Sequence, residues 1–347
     1  MKPRSPLPSA GPANTGAPMT TGTLPQVDVV IVNWNTRDLL ADCIGSLTQL
    51  AGERCSLGRV VVVDNASHDD SLTRIKAVKG VDRLPLEIIQ NSENRGFAQA
   101  CNQGARVGRA PYVLFLNPDT RVSPRALDAP VAFFEDPENA QVGICGIEMV
   151  DRTGTVSGSF RFPTVRTFFG QMTHLSALLP EVFPPHQMTV DEIRGGKPVD
   201  QVIGAFFLVR RSLFTLLDGF DERFFVYFEE VDFAYRAKQK GMLSYYLPGA
   251  SVYHEGGGST NVVRARRLFL ALRSRLQYIY KHYGPLDAGL LALLTLTLEL
   301  TARLMLAAGR RSPSAAFETL SAYVQLCRAG LGAVGAKLRP LRTRTNG

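Results

Sequence analysis

The chain has no Cys-x-x-Cys spacing. Its five cysteines, Cys43, Cys55, Cys101, Cys145 and Cys327, are odd in number and scattered. That pattern argues against a disulfide framework or a cysteine-built zinc site, and it fits reduced thiols in a cytosolic compartment. No Gly-x-Gly-x-x-Gly follows the first β-prone run, and no Gly-x-x-x-x-Gly-Lys-Ser/Thr occurs anywhere, so dinucleotide and P-loop chemistry lose their signatures. Gly256–Gly258 lacks the strand-to-helix setting and the lysine of a phosphate loop, and reads as a flexible turn. No Gly-x-Ser-x-Gly is present, which weakens a serine hydrolase. Residues 1–25 hold six prolines and no apolar h-region. They read as a disordered leader and not as a signal peptide. Acidic residues are scarce at the other end: residues 264–347 contain 14 Lys/Arg and 3 Asp/Glu, against a whole-chain charge of +8. The body is therefore mildly acidic and the tail basic, which suits nucleic acid or an anionic membrane surface.

What is present is a regular alternation. Residues 27–33 (VDVVIVN) form a β-branched run, the first strand. Thr36 or Asp38 caps a helix reaching about Gln49, with Leu39, Leu40, Ile44 and Leu47 on one face. Residues 59–64 (RVVVVD) form a second buried strand, ending in a polar turn at 65–70, with a helix to about Val78. A third strand is expected at 86–90, a loop at 91–96 and a helix at 97–107. A fourth strand at Val113 runs into Asn117-Pro118-Asp119, where proline ends the pairing and delivers Asp119 at the strand's carboxyl end. Strands alternating with helices at this spacing imply parallel βαβ units, and near-continuous apolar strands imply a sheet covered on both faces.

Beyond Pro124 the pattern loosens. Strands are expected at 143–149, 201–209 and 244–253, and a long loop or lid at 174–198. Short and longer helices are expected at 213–217 and 231–240, the latter ended by Gly241. Residues 266–282 read as an Arg-rich amphipathic helix. Residues 288–308 are apolar and long enough for a bilayer span, but Glu299 and Arg303 interrupt them. Those charges favour an interfacial helix over a spanning one, with a helix that simply covers the core as the plain alternative.

Five segments, VDVVIVNWN (27–35), VVVDNASHDDS (61–71), NRGFAQACNQG (94–104), FLNPDT (115–120) and GAFFLVRRSLFTLLDGFDERFFVYFEEVDFAYR (204–236), together resemble family 2 glycosyltransferases, nearest the rhamnosyltransferase-like branch. The resemblance covers about residues 27–260 in the family's order. It implies a GT-A fold, a Rossmann-like mixed α/β sheet, over residues 26–260, with a basic, apolar helical tail over 261–347. It further implies a nucleoside-diphosphate sugar donor, Mg²⁺ or Mn²⁺, and inversion at the anomeric carbon.

Carried over residue by residue, Asp64 resembles the carboxylate that reads the donor base, with Asn65 and Asn35 nearby. A pyrimidine imide N–H needs such an acceptor, and helix capping is the competing role. Asn94, Gly96 and Asn102 resemble the loop and helix that touch ribose and diphosphate; for Asn102 a satisfied helix asparagine competes. Asn117 and Asp119 match the metal motif, usually Asp-x-Asp, with Asn first here. Asp119 must then supply most of the protein's ligation, and the site is expected to hold cation weakly without donor phosphates. His254 resembles a histidine that completes the site, and suits Mn²⁺ better than Mg²⁺. A structural hydrogen bond at the strand end is its plain alternative. Glu230 matches the catalytic base in a position usually written Glu-Asp, here Glu229-Glu230. Glu229, Asp232 and Arg236 share a helical face at i, i+3 and i+7 as a supporting acidic cluster, which leaves Glu230 about 100° away to face the acceptor.

The resemblance thus implies an inverting transferase that moves a sugar, with rhamnose favoured, from a deoxythymidine or uridine diphosphate to a hydroxyl of a cell-envelope or polyprenyl-linked glycan. Its place would be the cytoplasm, at the inner face of the cell membrane. Two rivals come from other classes. A nucleotidyl- or phosphotransferase on a similar sheet would release diphosphate from a nucleotide. A nucleic-acid-binding protein would use the basic tail and needs stacking aromatics beside its charges.

Overall fold

Residues 26–33 form a strand because valine and isoleucine alternate toward two different interiors. The computed structural model describes residues 24–157, 159–255 and 264–337. Its strands, in chain order, are β1 (Gln26–Asn33), β2 (Ser56–Asp64), β3 (Leu86–Gln90), β4 (Tyr112–Leu116), β5 (Thr120–Val122) and β6 (Val142–Val150). After them come β7 (Val156–Ser157), β8 (Ser159–Phe160), β9 (Lys197–Val199), β10 (Gln201–Val202), β11 (Phe206–Arg210) and β12 (Leu243–His254). In β1, Val27, Val29 and Ile31 join a core on one side of the sheet, and Val30 and Val32 join a core on the other. The same alternation divides Val60 and Val62 from Val61 and Val63. A period-2 apolar strand buried on both faces is the physical outcome of helices packing above and below it. Each buried valine or isoleucine contributes roughly 1.5–3 kcal/mol.

The main sheet runs β3-β2-β1-β4-β11-β6-β12-β5. The first four strands in that order are parallel, as the βαβ spacing implies. β11 then enters antiparallel to both β4 and β6, while β12 pairs β6 in parallel. The strand expected at 201–209 is two strands, β10 and β11, broken at 203–205. The break pays off locally, since the Asn117 N–H donates to the Ala205 carbonyl across it at 3.0 Å. The expected loop at 174–198 contains two single-turn helices, Leu175–Leu178 and Val190–Ile193, the second closed by a Thr189–Glu192 capping box. The helix after β1 spans Asp38–Leu47, and neither Thr36 nor Asp38 caps it: its N-cap is Arg37, without a side-chain bond.

The tail is helical. Arg264–His282 leads to an apolar rod over Pro285–Gly309, which includes a π-helical segment at Thr295–Glu299, and then to Pro313–Lys337. The rod is the one described helix long and apolar enough to cross a membrane, by length and composition. Only 22 % of its apolar window is buried inside the molecule. Glu299, which argued against a span, is buried and paired with Arg275 at 2.6 Å and Arg303 at 2.8 Å. The expected leader (apart from residues 24 and 25), the Gly256–Gly258 turn and residues 338–347 of the tail lie outside the described residues.

Candidate active site

The carboxyl ends of β1, β2 and β4 open beside the amino end of β11, where strand direction reverses. Register sets this rim: Asn33 pairs with Asp64, Ile31 with Leu116, and Leu116 with Phe206. A cavity of about 440 Å³ lies there, and Asn65, Asn94, Asn117, Asp119, Glu230 and His254 are among its lining residues. Open α/β sheets place ligands at such a reversal.

Asp119 and His254 meet through two local devices. Pro118 turns the chain out of β4, and the turn closes when the Thr120 N–H and hydroxyl both donate to the Asn117 carbonyl at 3.2 and 2.6 Å. Thr120 then starts β5, which pairs with β12 so that His254 sits opposite Thr120. The Glu255 N–H donates to the Asp119 carbonyl at 3.0 Å. The result is a His254 Nε2 3.3 Å from Asp119 Oδ1 at the cavity wall. A carboxylate beside an imidazole nitrogen is a donor set that fits a borderline divalent cation. Among the described residues no group of three His, Cys, Asp or Glu is arranged for a metal, so these two fit a cation that completes its shell from a ligand and water.

The acidic helix is held in a strained entry. Tyr227 and Phe228 both adopt positive φ, 68° and 70°, directly before the helix Glu229–Gln239. Non-glycine residues in that region cost about 1–3 kcal/mol each and persist only where surroundings fix them. The Ser274 hydroxyl donates to the Val226 carbonyl at 2.8 Å and the Phe97 N–H to the Phe225 carbonyl at 2.6 Å. Gly96, φ 89°, permits that approach, because a Cβ there would fall 2.6 Å from the Phe225 oxygen.

Glu229 and Glu230 both line the cavity, and each keeps one buried carboxylate oxygen without a hydrogen-bond partner. Burial pushes the Glu229 carboxyl well above the usual range, and the adjacent Glu230 charge adds to it. Burial also raises Glu230, against the hydrogen bonds of the helix start. At this helix start desolvation outweighs those hydrogen bonds. The expected cluster of Glu229, Asp232 and Arg236 is corrected. Asp232 is fully buried and bonds Arg236 Nε at 2.8 Å, while Glu229 turns to the cavity instead.

The donor-side residues divide. Asn65 lines the cavity, and its amide donates to the Gly96 carbonyl at 3.0 Å. Asn94 also lines it and accepts from the Gly96 N–H. Asp64 is buried and does not line the cavity, with Oδ1 accepting from Asn33 at 2.7 Å and Oδ2 from the Ser67 N–H at 3.1 Å. Each oxygen retains acceptor capacity. Asn35, φ 53°, accepts from the His68 N–H and shapes the neighbouring loop. Asn102 does not reach the cavity. Its Oδ1 accepts from the Phe220 N–H at 2.9 Å and its amide donates to the Phe220 carbonyl at 2.8 Å. Both ends of that amide brace the 217–223 turn, so a contact with ribose or diphosphate is withdrawn.

Trp34, Arg266, Arg267 and Leu270 also line the cavity, without having been named as site residues. Trp34 stands inside the first quoted segment and is the chain's single tryptophan. The other three belong to the tail, separated in sequence from every other lining residue.

A family profile, Glycosyl transferase family 2, matches residues 28–215. An N-acetylglucosaminyl-diphospho-decaprenol L-rhamnosyltransferase of Mycobacterium tuberculosis is 30 % identical over 82 % of this chain and 94 % of its own length. Among solved structures, a mannosyltransferase from Pyrobaculum calidifontis in complex with GDP-mannose and Mn²⁺ superposes with a TM-score of 0.52 at 20 % identity. That match covers 93 % of this chain and 83 % of the other. GalNAc-T7 with UDP, GalNAc and Mn²⁺ gives a TM-score of 0.55 at 15 % identity, over 74 % of this chain and 48 % of the other. With a reversal of strand direction that gathers its acidic and amide side chains at the ends of its central strands, the chain has the GT-A fold and belongs to glycosyltransferase family 2, as a rhamnosyltransferase-like member.

Proposed function

We propose that the protein transfers a sugar, rhamnose first among candidates, from a deoxythymidine or uridine diphosphate to a hydroxyl of a lipid-linked glycan, with inversion. The observation that carries this reading is the facing of two unlike polar groups in one cavity. Asp119 with His254 stands at the β4–β5 turn, and Glu230 stands at the start of the acidic helix. A cation needs the first and a base for an attacking hydroxyl needs the second.

Asp64 and Asn65 would receive the base and ribose, and Asn94, Gly96 and Asn117 would receive the sugar phosphate side. Asp119 and His254 would hold Mg²⁺ or Mn²⁺, which supplies positive charge to the departing diphosphate. The acceptor's O–H proton passes to a Glu230 carboxylate oxygen. The oxygen's electron pair forms the new bond to the anomeric carbon from the opposite face. The bond from that carbon to the diphosphate oxygen breaks, and its electron pair leaves with the nucleoside diphosphate. The raised Glu230 carboxyl suits this task, since a base is most effective with a pKa near the working pH. Burial and the adjacent Glu230 charge both raise the Glu229 carboxyl, which disfavours a second negative charge beside Glu230.

The relative's acceptor is a diphospho-decaprenol sugar, and the tail's exposed Leu286, Leu290, Leu293 and Met305 support work on a membrane-borne acceptor at the cytoplasmic face. The nucleic-acid reading finds less support. Of the tail tyrosines Tyr278, Tyr280 and Tyr283 that could stack on bases, Tyr278 is fully buried against Phe228 and Tyr235 and Tyr280 is exposed. The test is incubation with dTDP-rhamnose, UDP-sugars and an N-acetylglucosaminyl-diphospho-lipid, reading product mass and anomeric configuration by NMR. A retained configuration would overturn inversion, and product from another sugar alone would overturn rhamnose.

A further inference from the structure

Arg266 and Arg267 bring positive charge into a cavity otherwise lined by Asp119, Glu229 and Glu230. They come from the first turn of Arg264–His282, a helix of the tail and not of the sheet. Both are exposed on the protein's own account. The Arg266 guanidinium lies over the Phe225 ring at 6.0 Å from its centroid. Leu270, one turn further on, lines the same cavity. This wall therefore combines two guanidinium groups with an aromatic ring and a leucine. A nucleotide sugar presents one flat aromatic base and is otherwise polar, so it uses an apolar wall only at the base. An amphiphile with an anionic head uses both.

We propose that Arg266 and Arg267 recognise the diphosphate of a lipid-linked acceptor, and that Phe225 and Leu270 receive the first apolar units of its chain. This rests on the reading of the acceptor as lipid-linked. Arginine presents a planar fork of donors matched to phosphate oxygens, and a diphosphate offers two such groups. The donor's own diphosphate has Asp119 and His254 with their cation. The acceptor's diphosphate would otherwise face Glu229 and Glu230 without a counter-charge of its own. The tail then has two functions: it carries the exposed leucines and it completes the acceptor side of the cavity.

Trp34 makes this testable without turnover, because the single tryptophan lines the cavity and reports its occupancy. Full-length protein is titrated with farnesyl diphosphate, farnesol, inorganic pyrophosphate and UDP with Mn²⁺, reading tryptophan fluorescence. Expected is a saturable response to farnesyl diphosphate that survives saturating UDP and is at least tenfold tighter than that to farnesol or pyrophosphate. The double variant Arg266→Ala/Arg267→Ala is expected to lose at least tenfold in farnesyl diphosphate affinity and to keep UDP affinity within twofold. Arg266→Lys/Arg267→Lys, which keeps charge and removes the fork, is expected to fall between, and it stands in if the alanine pair fails to fold. Unchanged farnesyl diphosphate binding in these variants overturns the proposal. So does competition with UDP accompanied by equal loss of both, which would assign the arginines to the donor. Pyrophosphate binding as tightly as farnesyl diphosphate overturns the lipid part. Farnesyl diphosphate binding in a protein that transfers no sugar to any lipid-linked acceptor defeats the functional reading and leaves this site standing.

Discussion

His282 Nε2 lies 2.7 Å from Asp232 Oδ1, and that contact ties the tail to the helix carrying Glu230. Asp232 is fully buried and is also met by Lys281 Nζ at 2.5 Å and Arg236 Nε at 2.8 Å. Burial alone would raise its carboxyl. The His282 hydrogen bond, Arg236 and Lys281 together hold it below the usual range. Fifty residues separate the two partners, so the tail is part of the catalytic domain's structure as well as an appendage.

Asp232→Asn is expected to destabilise the protein by about 3–5 kcal/mol, because it leaves the largely buried Arg236 without its carboxylate partner, whereas Lys281 keeps Asp221. Its loss of activity is expected to track its loss of melting temperature. The pH dependence has a definite sign. A carboxyl with a depressed folded pKa stabilises above its unfolded value of about 3.9, and that contribution is lost as pH falls through the folded value. Acid unfolding of the variant is therefore expected to be flatter below about pH 4. A fully stable but inactive Asp232→Asn would instead make Asp232 the base.

Asp119→Ala is expected to abolish turnover and the response to added Mg²⁺ or Mn²⁺. With Asn at position 117, no second carboxylate of the motif can replace it. His254→Ala is expected to weaken the metal response less and to shift preference from Mn²⁺ toward Mg²⁺, since imidazole favours the softer ion. Metal titrations of steady-state rate check both. An unchanged titration in His254→Ala would return His254 to a hydrogen bond at the end of β12.

Glu230→Gln is expected to bind donor normally and to lose about 10²–10⁴-fold in the transfer step. Because burial raises this carboxyl, the wild-type rate is expected to rise with pH through a pKa above the ordinary carboxylate range. Single-turnover rates across pH read this limb, which is expected to vanish in the variant. Near wild-type turnover by Glu230→Gln would show that another group takes the proton.

Glu229→Gln is expected to stabilise the protein at neutral pH. A group with a raised folded pKa costs stability as pH climbs from its unfolded to its folded value, because the native state then holds the extra proton. Removing that group removes the cost, with a gain on the order of 1 kcal/mol, a few degrees in melting temperature. Melting temperatures of both forms at pH 4 and pH 8 decide it. Equal differences at the two pH values would mean that Glu229 does not titrate between them.

Leu290→Glu with Leu293→Glu is expected to release the protein from membranes. Both leucines are about half exposed on the apolar rod Pro285–Gly309. Each leucine placed in lipid contributes roughly 1.5–3 kcal/mol, and each basic residue near an anionic surface about 1 kcal/mol. Sedimentation with vesicles rich in anionic lipid measures the change. High salt is expected to strip part of the wild type and detergent the rest. Retention through alkaline carbonate would favour a span over an interfacial helix.

The sequence by itself determined the sheet's first half and the strand ends that line its cavity. Periodic valines specify β1 and β2, and Pro118 specifies where β4 must end, because these are local constraints on backbone and burial. Pro118 also put Asp119 in view, while Asn65, Asn117 and Glu230 came into view through the resemblance of whole segments to the family. Tertiary structure alone decided the rest. Asn102 and Asn94 sit in the same quoted segment, yet one braces Phe220 and the other lines the cavity, and only packing separates them. Glu229 and Asp232 share a helical face by spacing, yet the tail's His282 and Lys281 claim Asp232 and leave Glu229 to the cavity. The pairing of His254 with Asp119 needed β12 to lie against β5, 130 residues away in sequence. Arg266 and Arg267 had no motif, because the side chains they join come from the far side of a fold. A side chain's neighbours across long loops depend on how the whole chain closes, and no local pattern records that closure.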